Sequence, residues 1–302
     1  MDTAAVELRS LAEQLASEAA AFVRRRRAEV FGAGGEVVGA GGEVVGAGGE
    51  VVGAGGDDES AARAVRAVSF KSTATDPVTV VDTETERLLR DRLAELRPGE
   101  RILGEEEGGP TEPADGELTW VLDPIDGTVN FLYGIEAYAV SVGVQRGGVS
   151  VAGAVADVAA GAVYSAARGH GARLLRDGVV SGLRCSALTD LPMALVGTGF
   201  GYRPELRRRQ GEVVAGLLPR VRDLRRIGSC ALDLCMVAAG RLDAYYEEGV
   251  HVWDWAAGAL IATEAGAQVR LPPSVDGPGL VVAAAPGISA ALTDALRDCG
   301  AM

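Results

Sequence analysis

The chain lacks the features that would mark a membrane-spanning, exported or nucleic-acid-binding protein. No apolar run reaches the ~18 residues that a transmembrane helix needs, and the N-terminus lacks the basic and then apolar order of a signal peptide. A net charge of −13 over 302 residues disfavours binding to a nucleic-acid backbone. The four cysteines have no metal-ligand spacing, so we expect free thiols in a reducing cytosol. These absences predict a soluble cytoplasmic protein.

The remaining composition, 48% hydrophobic and 24% charged, is that of a globular protein. Residues 4–27 repeat apolar side chains with helical spacing, whereas 138–180 read as a meander of short strands separated by glycines. Helical and strand patterns alternate in the second half of the chain. This order predicts an α/β fold of layered sheets and helices in two lobes. We place the N-terminal lobe at 1–190 and the C-terminal lobe, which completes the site, at 191–302.

A glycine-rich repeat interrupts the first lobe. The heptad Gly-Ala-Gly-Gly-Glu-Val-Val starts at Gly32, Gly39 and Gly46 and degrades at Gly53. Because so short a repeat lacks the side chains for a core, we predict that residues 32–56 form a flexible insert without a catalytic role. A regular ladder of β-turns is the alternative.

The most informative stretch is Asp123–Phe131, which reads Asp-Pro-Ile-Asp-Gly-Thr-Val-Asn-Phe. It follows the apolar run Thr119–Leu122, which is typical of a buried strand. We expect Pro124 to end the hydrogen-bonded ladder and redirect the backbone, so that Asp123 lies at the end of the strand. A carboxylate in that position needs a partner, because burying it alone is costly.

The rest of this stretch supplies further oxygen ligands and free backbone donors. We expect Asp126 to return to the same point in space as Asp123, with the carbonyl of Ile125 between them. Gly127 and Thr128 then expose backbone N–H groups at the start of the next element. Hard oxygen ligands beside N–H donors suit a divalent cation and a phosphate held together.

Two other carboxylates lie at element boundaries, but each has an ordinary explanation. Asp254 begins a helix, where an aspartate is usually a cap, and Glu105 lies in a run of acids, which is usually solvated. Asp82 opens an earlier helix with acids in its first turn. The prediction of a metal site therefore rests on the combination of these acids with Asp123 and Asp126.

Three blocks of the chain resemble the signature blocks of the inositol monophosphatase family, in that family's order. The blocks are Gly104–Glu106, Asp123–Phe131 and Trp253–Gly258. Shorter matches between them are Lys71, Asp82, Arg226–Ser229 and Asp243–Gly249. The resemblance covers roughly residues 5–30 and 66–290. Within the family, the chain resembles the bacterial inositol-1-monophosphatase branch. The repeat is a departure, because it lengthens the connection that leads into Lys71.

The resemblance implies an αβαβα sandwich of the inositol monophosphatase and fructose-1,6-bisphosphatase type. It also implies Mg²⁺-dependent hydrolysis of inositol-1-phosphate, inhibition by lithium and a homodimer. Alternative substrates are fructose-1,6-bisphosphate, histidinol phosphate and 3'-phosphoadenosine 5'-phosphate, because the superfamily shares the fold and the metal site. A protein of another class, which binds or regulates without turnover, would have lost a metal ligand or Thr128, and the chain keeps them all.

The resemblance assigns ligands to two or three Mg²⁺ ions. Glu105, Asp123 and the carbonyl of Ile125 would hold the first ion. Asp123, Asp126 and Asp254 would hold the second, and Glu105 would help to position a third through water. Since metal activates the attacking water, no histidine base is needed, and the sequence has only His170 and His251, both outside the signature blocks.

The remaining roles also come from the family. Thr128, backed by Asp82, would orient the attacking water. The N–H groups of Gly127 and Thr128 would bind phosphate oxygens, and Lys71 would lie on a mobile loop near the metals. The side chains or backbone of four residues would contact the substrate: Asp126, Gly228, Ser229 and Glu247. We interpret the cluster Arg203–Arg209 as a solvated helix face rather than an anion site, and His251 as a packing residue.

Overall fold

The computed structural model describes most of the chain. The described residues are 3–31, 37–38, 44–45, 51–52, 67–71, 77–112, 115–272 and 279–302. The helices are α1 (Thr3–Phe31), α2 (Val80–Leu96), α3 (Thr128–Tyr133), α4 (Pro204–Leu217), α5 (Cys230–Ala238), α6 (Val252–Glu264) and α7 (Ser289–Asp298). In these residues no helix is both long enough and apolar enough to cross a membrane.

Two sheets dominate the fold. The strands of the first are β6 (Arg101–Gly104), β7 (Leu118–Asp126), β8 (Ala139–Arg146), β9 (Val149–Asp157), β10 (Ala162–Ala167), β11 (Ala172–Arg176) and β12 (Val179–Gly182). This seven-stranded sheet has the order β12-β11-β10-β9-β8-β7-β6 and is antiparallel except for the β6–β7 pair. The predicted meander is therefore confirmed.

The second sheet has five strands in the order β14-β13-β15-β17-β16. Its strands are β13 (Leu195–Thr198), β14 (Asp223–Arg225), β15 (Ala244–Glu248), β16 (Gln268–Arg270) and β17 (Leu280–Ala284). Strand β13 is parallel to β14 and β15, and β17 is antiparallel to its neighbours. The two sheets lie on either side of the lobe boundary that we predicted near residue 190, and that boundary stays a prediction.

The helices form three layers around the two sheets. Helices α1 and α2 cover the outer face of the first sheet, where Leu15 packs near Val142. Helices α5 and α6 lie between the sheets and contact both. Helices α4 and α7 cover the second sheet, where Leu217 and Leu296 pack with Val282. This arrangement confirms the predicted αβαβα sandwich.

The central helix α6 packs unusually close to the first sheet. A Cβ atom built on Gly143 would lie 2.8 Å from the Cβ of Ala256, and one on Gly153 would lie 2.9 Å from the Cα of Ala257. Two glycines on the sheet therefore face two alanines on the helix. The close approach brings the N-terminus of α6, which carries Asp254, against the end of β7.

The start of α2 differs from the prediction. We expected the helix to open at Asp82, but the strand β5 (Pro77–Thr79) is followed directly by the helix, which begins at Val80. Thr79 is the N-cap, and the carboxylate of Asp82, three residues on, accepts the backbone N–H of Thr79. This capping box outweighs the β propensity of the two valines.

Strand β7 also differs from the prediction, because Pro124 does not end it. Asp123 pairs with Ser141 and Asp126 pairs with Ala139, with a shift of register between them. The proline lies inside this irregularity, where its missing N–H costs no ladder hydrogen bond. Since the backbone bulges there, both aspartates remain on the strand and still approach each other.

The glycine-rich repeat contains three described pieces, one in each heptad. Val37–Val38 (β1), Val44–Val45 (β2) and Val51–Val52 (β3) form a small antiparallel sheet of their own. The segments between these strands lie outside the described residues, so the alternative of a regular ladder of β-turns is untested. The rest of residues 32–56 lies outside the described residues, so the predicted flexibility is untested. A short two-stranded sheet, β4 (Val68–Phe70) with β5, follows the repeat.

Candidate active site

The predicted site residues surround one cavity of about 720 Å³ where β7, α3, α5 and α6 meet. All of them line it except Asp82 and Ser229, which lie buried behind its wall. The lining residues among them are Lys71, Glu105, Asp123, Ile125, Asp126, Gly127, Thr128, Gly228, Glu247 and Asp254. Segments far apart in the chain therefore converge on one place.

Three carboxylates form the centre of the cavity. Ligand atoms of Asp123, Asp126 and Asp254 lie within 4.8 Å of one another. The first two come from the irregular end of β7, and the third comes from the first turn of α6. There Asp254 Oδ2 accepts the backbone N–H of His251 at 2.5 Å, so one carboxylate serves as both cap and site residue. Burial and the nearby Asp126 and Glu105 raise the pKa of Asp254 well above its usual value.

Asp123 is the residue that most clearly requires a ligand. It is 1% exposed, and neither of its carboxylate oxygens has a hydrogen-bond partner among the residues that the structure describes. Burial raises its pKa well above the usual value, and the neighbouring Glu105, Asp126 and Asp254 raise it further. A buried acid without a partner, beside other acids, fits a divalent cation bound by oxygen ligands.

Asp126 is held in place by the start of α5. Its Oδ2 accepts the hydroxyl of Ser229 at 2.7 Å and the backbone N–H of Ala231 at 2.6 Å. Burial raises the pKa of Asp126 to about 7, although these two hydrogen bonds oppose the rise. Both bonds reach the same oxygen, which leaves Oδ1 available to a cation.

Glu105 lies in the turn after β6 and faces Lys71, the one lysine of the sequence. Lys71 Nζ lies 2.8 Å from Glu105 Oε1 and 2.6 Å from Glu106 Oε1. Burial would lower the pKa of Lys71, but Glu105 and Glu106 outweigh it and leave the pKa raised. The ammonium group therefore offsets part of the negative charge around Glu105, where the sequence-based assignment predicts the first metal ion.

Thr128 connects the cavity with the buried Asp82. Its hydroxyl lies 3.2 Å from Asp82 Oδ1 and 3.1 Å from the carbonyl of Ile125. The other oxygen of Asp82 accepts both the backbone N–H and the hydroxyl of Thr79, at 2.9 and 2.5 Å. Burial raises the pKa of Asp82 to about 7 against the effect of these bonds.

Gly127 begins the short helix α3 in a conformation that requires glycine. Its φ is +99°, and a Cβ atom there would lie 3.0 Å from the carbonyl oxygen of Ala137. Glycine therefore lets the chain pass close to the backbone of Ala137 and Gly228 at the point where Gly127 and Thr128 line the cavity. This is the place where the sequence predicts a phosphate.

The far end of the cavity is lined by Glu247 and Gly228. Glu247 Oε2 accepts the hydroxyl of Tyr245 at 2.6 Å, and burial raises the pKa of Glu247. A Cβ on Gly199 would lie 1.9 Å from Glu247 Oε2, so glycine leaves room for the carboxylate. Ser229 caps α5 by accepting the N–H of Leu232 at 3.2 Å. Its predicted contact with substrate stays a prediction.

Sequence reasoning assigned no role at the site to several residues of the cavity wall. These lining residues are Phe200, Tyr202, Arg203, Arg226 and Trp253. His251 stacks on Trp253 with ring centroids 4.7 Å apart, as expected for packing. Arg207, Arg208 and Arg209 are exposed, as a solvated helix face requires, whereas Arg203 reaches the cavity. Phe200, Tyr202 and Arg203 lie in a loop and have no periodic signal in the sequence, whereas Trp253 lies in the first turn of α6.

Comparison with known proteins agrees with this geometry. The model of the inositol monophosphatase family matches residues 43–296. An inositol-1-monophosphatase of Mycobacterium leprae is 62% identical over 96% of this chain and 94% of its own length. One from Mycobacterium bovis is 60% identical over 98% and 95%. The solved structure of Mycobacterium tuberculosis SuhB has a TM-score of 0.76 and 55% identity, and 97% of each chain is covered.

Proposed function

Because the chain belongs to the inositol monophosphatase family and is a phosphatase, we propose that it hydrolyses inositol-1-phosphate to inositol and phosphate with Mg²⁺ as its cofactor. One observation carries the proposal. Asp123, which is buried and has no hydrogen-bond partner among the described residues, lies within 4.8 Å of two further carboxylates in the cavity that Thr128 also lines.

The donor set suits the ion that we propose. Glu105, Asp123 and the carbonyl of Ile125 would hold the first Mg²⁺, and Asp123, Asp126 and Asp254 would hold the second. A third would reach Glu105 through water. When bound, these ions would lower the pKa of the attacking water and stabilise the negative charge that develops on the transferred phosphoryl group and the leaving oxygen.

Thr128 and Asp82 would orient the attacking water. If Thr128 donates its single hydroxyl proton to Asp82 Oδ1, 3.2 Å away, its lone pairs stay free to accept a hydrogen bond from water. The N–H groups of Gly127 and Thr128 would bind two phosphoryl oxygens. The water oxygen would attack phosphorus in line with the ester oxygen and release one of its protons to solvent, while the ester P–O bond breaks and the leaving alkoxide takes up a proton from solvent.

Glu247 and Asp126 would recognise the polyol. Carboxylate oxygens accept hydrogen bonds from hydroxyl groups, and the hydroxyl of Tyr245 fixes Glu247 in place. Ser229 would act together with Asp126, to which it donates a hydrogen bond, and Gly228 would contribute backbone atoms. A substrate with adjacent hydroxyl groups fits such acceptors, whereas a second phosphate beside Glu247 would be repelled.

A second candidate function rests on Arg203 and Arg226, both of which line the same cavity. Two guanidinium groups could bind a second phosphate, which would favour fructose-1,6-bisphosphate or 3'-phosphoadenosine 5'-phosphate. Histidinol phosphate remains a further alternative with one phosphate. The homodimer, the inhibition by lithium and the cytoplasmic location stay predictions.

A panel of esters tests the proposal. Phosphate release would be measured from inositol-1-phosphate, fructose-1,6-bisphosphate, histidinol phosphate and 3'-phosphoadenosine 5'-phosphate, each with Mg²⁺ and with a chelator. We expect Mg²⁺-dependent release that is fastest from the inositol ester. Preference for a bisphosphate would support the second candidate function. Phosphate release that continues unchanged in the presence of the chelator would contradict the metal site.

A further inference from the structure

The turn that carries Glu105 is held from behind by a buried acid, Glu86. Glu86 lies on α2 and is 0% exposed. Its Oε2 accepts the backbone N–H of Glu106 at 2.7 Å, and its Oε1 accepts the backbone N–H of Glu107 at 3.0 Å. Arg90, one helical turn further on, donates to Glu86 Oε1 at 2.8 Å and to the carbonyl of Gly108 at 2.5 Å. The carboxylate thus has partners on both sides.

The neighbouring glycine is matched to this carboxylate. A Cβ atom on Gly104 would lie 2.1 Å from Glu86 Oε1 and 2.6 Å from Oε2. Any side chain at position 104 would therefore push Glu86 away from the turn. Position 104 of the Gly104–Glu106 block therefore requires glycine for a steric reason, because a side chain there would collide with Glu86 of α2.

These contacts fix the backbone on both sides of Glu105. Gly104 donates its N–H to the carbonyl of Gly108 at 3.0 Å, and Glu105 donates its own to the carbonyl of Leu122 at 3.1 Å. The next two N–H groups both end on Glu86. Without Glu86, two consecutive donors would lose their acceptor, and the turn could rotate about the remaining bonds.

The same face of α2 supports both halves of the site. Asp82 and Glu86 are one helical turn apart and both are buried. Asp82 contacts Thr128, while Glu86 holds the turn that presents Glu105. Helix α2 thus fixes the position of the Thr128 hydroxyl relative to the Glu105 carboxylate.

We propose that Glu86 is a positioning residue, which sets the affinity of the site for its divalent cation by fixing the turn that carries Glu105. The proposal rests on the metal site of the proposed function. Residues that orient ligands in this way typically change metal affinity by about 10–100-fold when they are replaced. Glu86 does not line the cavity, so its effect should appear in metal binding before it appears in turnover.

Glu86→Gln tests this proposal, because the amide keeps the shape but offers one acceptor oxygen in place of two. Metal-depleted protein would be titrated with Mg²⁺ and Mn²⁺ by calorimetry. We expect affinity to fall by about tenfold, while the turnover number at saturating metal stays within about threefold. Hydrogen exchange of the metal-free protein should be faster at the amides of Glu106 and Glu107. The control is Glu95→Gln, an exposed position on the same helix whose side chain pairs, among the described residues, only with Arg92.

The outcomes separate this inference from the proposed function. If the unaltered protein fails to bind either ion, the metal site itself is wrong. If it binds and Glu86→Gln binds equally well, Glu86 does not position the turn and the inference is overturned. If Glu86→Gln fails to fold, Gly104→Ala is the second test, because its methyl group would displace the Glu86 carboxylate without replacing it. Gly104→Ala should then weaken metal binding. Unchanged affinity in folded Gly104→Ala would also overturn the inference.

Discussion

Asp123→Asn should stabilise the metal-free protein and abolish its activity. Both oxygens of Asp123 are buried without a partner, and its neighbours in the cluster are acids. Asparagine keeps the shape and removes the charge, and its NH₂ group can donate to Asp126 or Asp254. In contrast, Asp123 is the proposed ligand of both Mg²⁺ ions, so the variant should bind neither of them.

The magnitude follows from the geometry. Two carboxylate charges at 4.8 Å repel by ~3.5 kcal/mol at an effective dielectric constant of ~20, and a buried group without a partner costs ~1–3 kcal/mol. Partial protonation of the cluster relieves part of this cost, so we expect a gain of about 2 kcal/mol in the unfolding free energy of metal-free protein near neutral pH. Turnover should fall by at least about a thousandfold, which corresponds to ~4 kcal/mol of lost metal assistance.

Urea unfolding in a chelator, repeated with Mg²⁺, measures both effects beside phosphate release. Asp233→Asn is the matched control, because Asp233 is also fully buried and neither of its oxygens has a partner among the described residues. That variant should also be more stable without metal, but it should keep its stabilisation by Mg²⁺. A less stable Asp123→Asn would show that Asp123 has a partner in solution, and retained turnover would refute the two-metal proposal.

Two further predictions concern pH and the repeat. Because the pKa of Asp82 is about 7 in the folded state and 3.8 when unfolded, its stabilising contribution is full below pH 3.8 and is lost as pH rises to about 7. Asp82 alone should therefore contribute a fall of up to ~4 kcal/mol to the unfolding free energy in chelator over that range, and Asp126, whose pKa is also about 7, should add to it. Asp82→Asn should make the fall smaller than in the unaltered protein, and an equal or larger fall in the variant would contradict the prediction. Excision of residues 33–56 should leave the activity within about tenfold of that of the full chain. The reason is that strands β1–β3 pair only with one another among the described strands. Loss of folding would show that the insert is structural.

Asp123 could be identified from the sequence because it follows a buried apolar run, where an acid without a partner is costly. Asp254 and Glu105 could not be distinguished singly from a helix cap and a solvated acid, so their assignment depended on the combination of acids and on the family resemblance. The order of strands and helices likewise predicted the layers. These signals are local, and each depends on the chemistry of a few neighbouring residues.

Positions that depend on tertiary geometry could not be predicted in this way. The bulge in β7 was missed, because a proline inside a strand is indistinguishable in sequence from one that ends it. The helix α7 was also missed. Glu86 looked like any acid in the first turns of a helix, and its burial depends on a turn about twenty residues away. Such contacts between segments leave no periodic signal.

The composition of the central layer has a functional reason as well as a structural one. Asp254 reaches the other two aspartates only because α6 lies against Gly143 and Gly153, where a Cβ atom would approach Ala256 and Ala257 to within 2.9 Å. A larger side chain at either glycine would move the helix outward and widen the separation between the acids. Divalent cations require their ligands at closely defined distances, so a displacement of about 1 Å would weaken binding. The small residues of α6 and of the facing strands are therefore part of what makes the carboxylates a metal site.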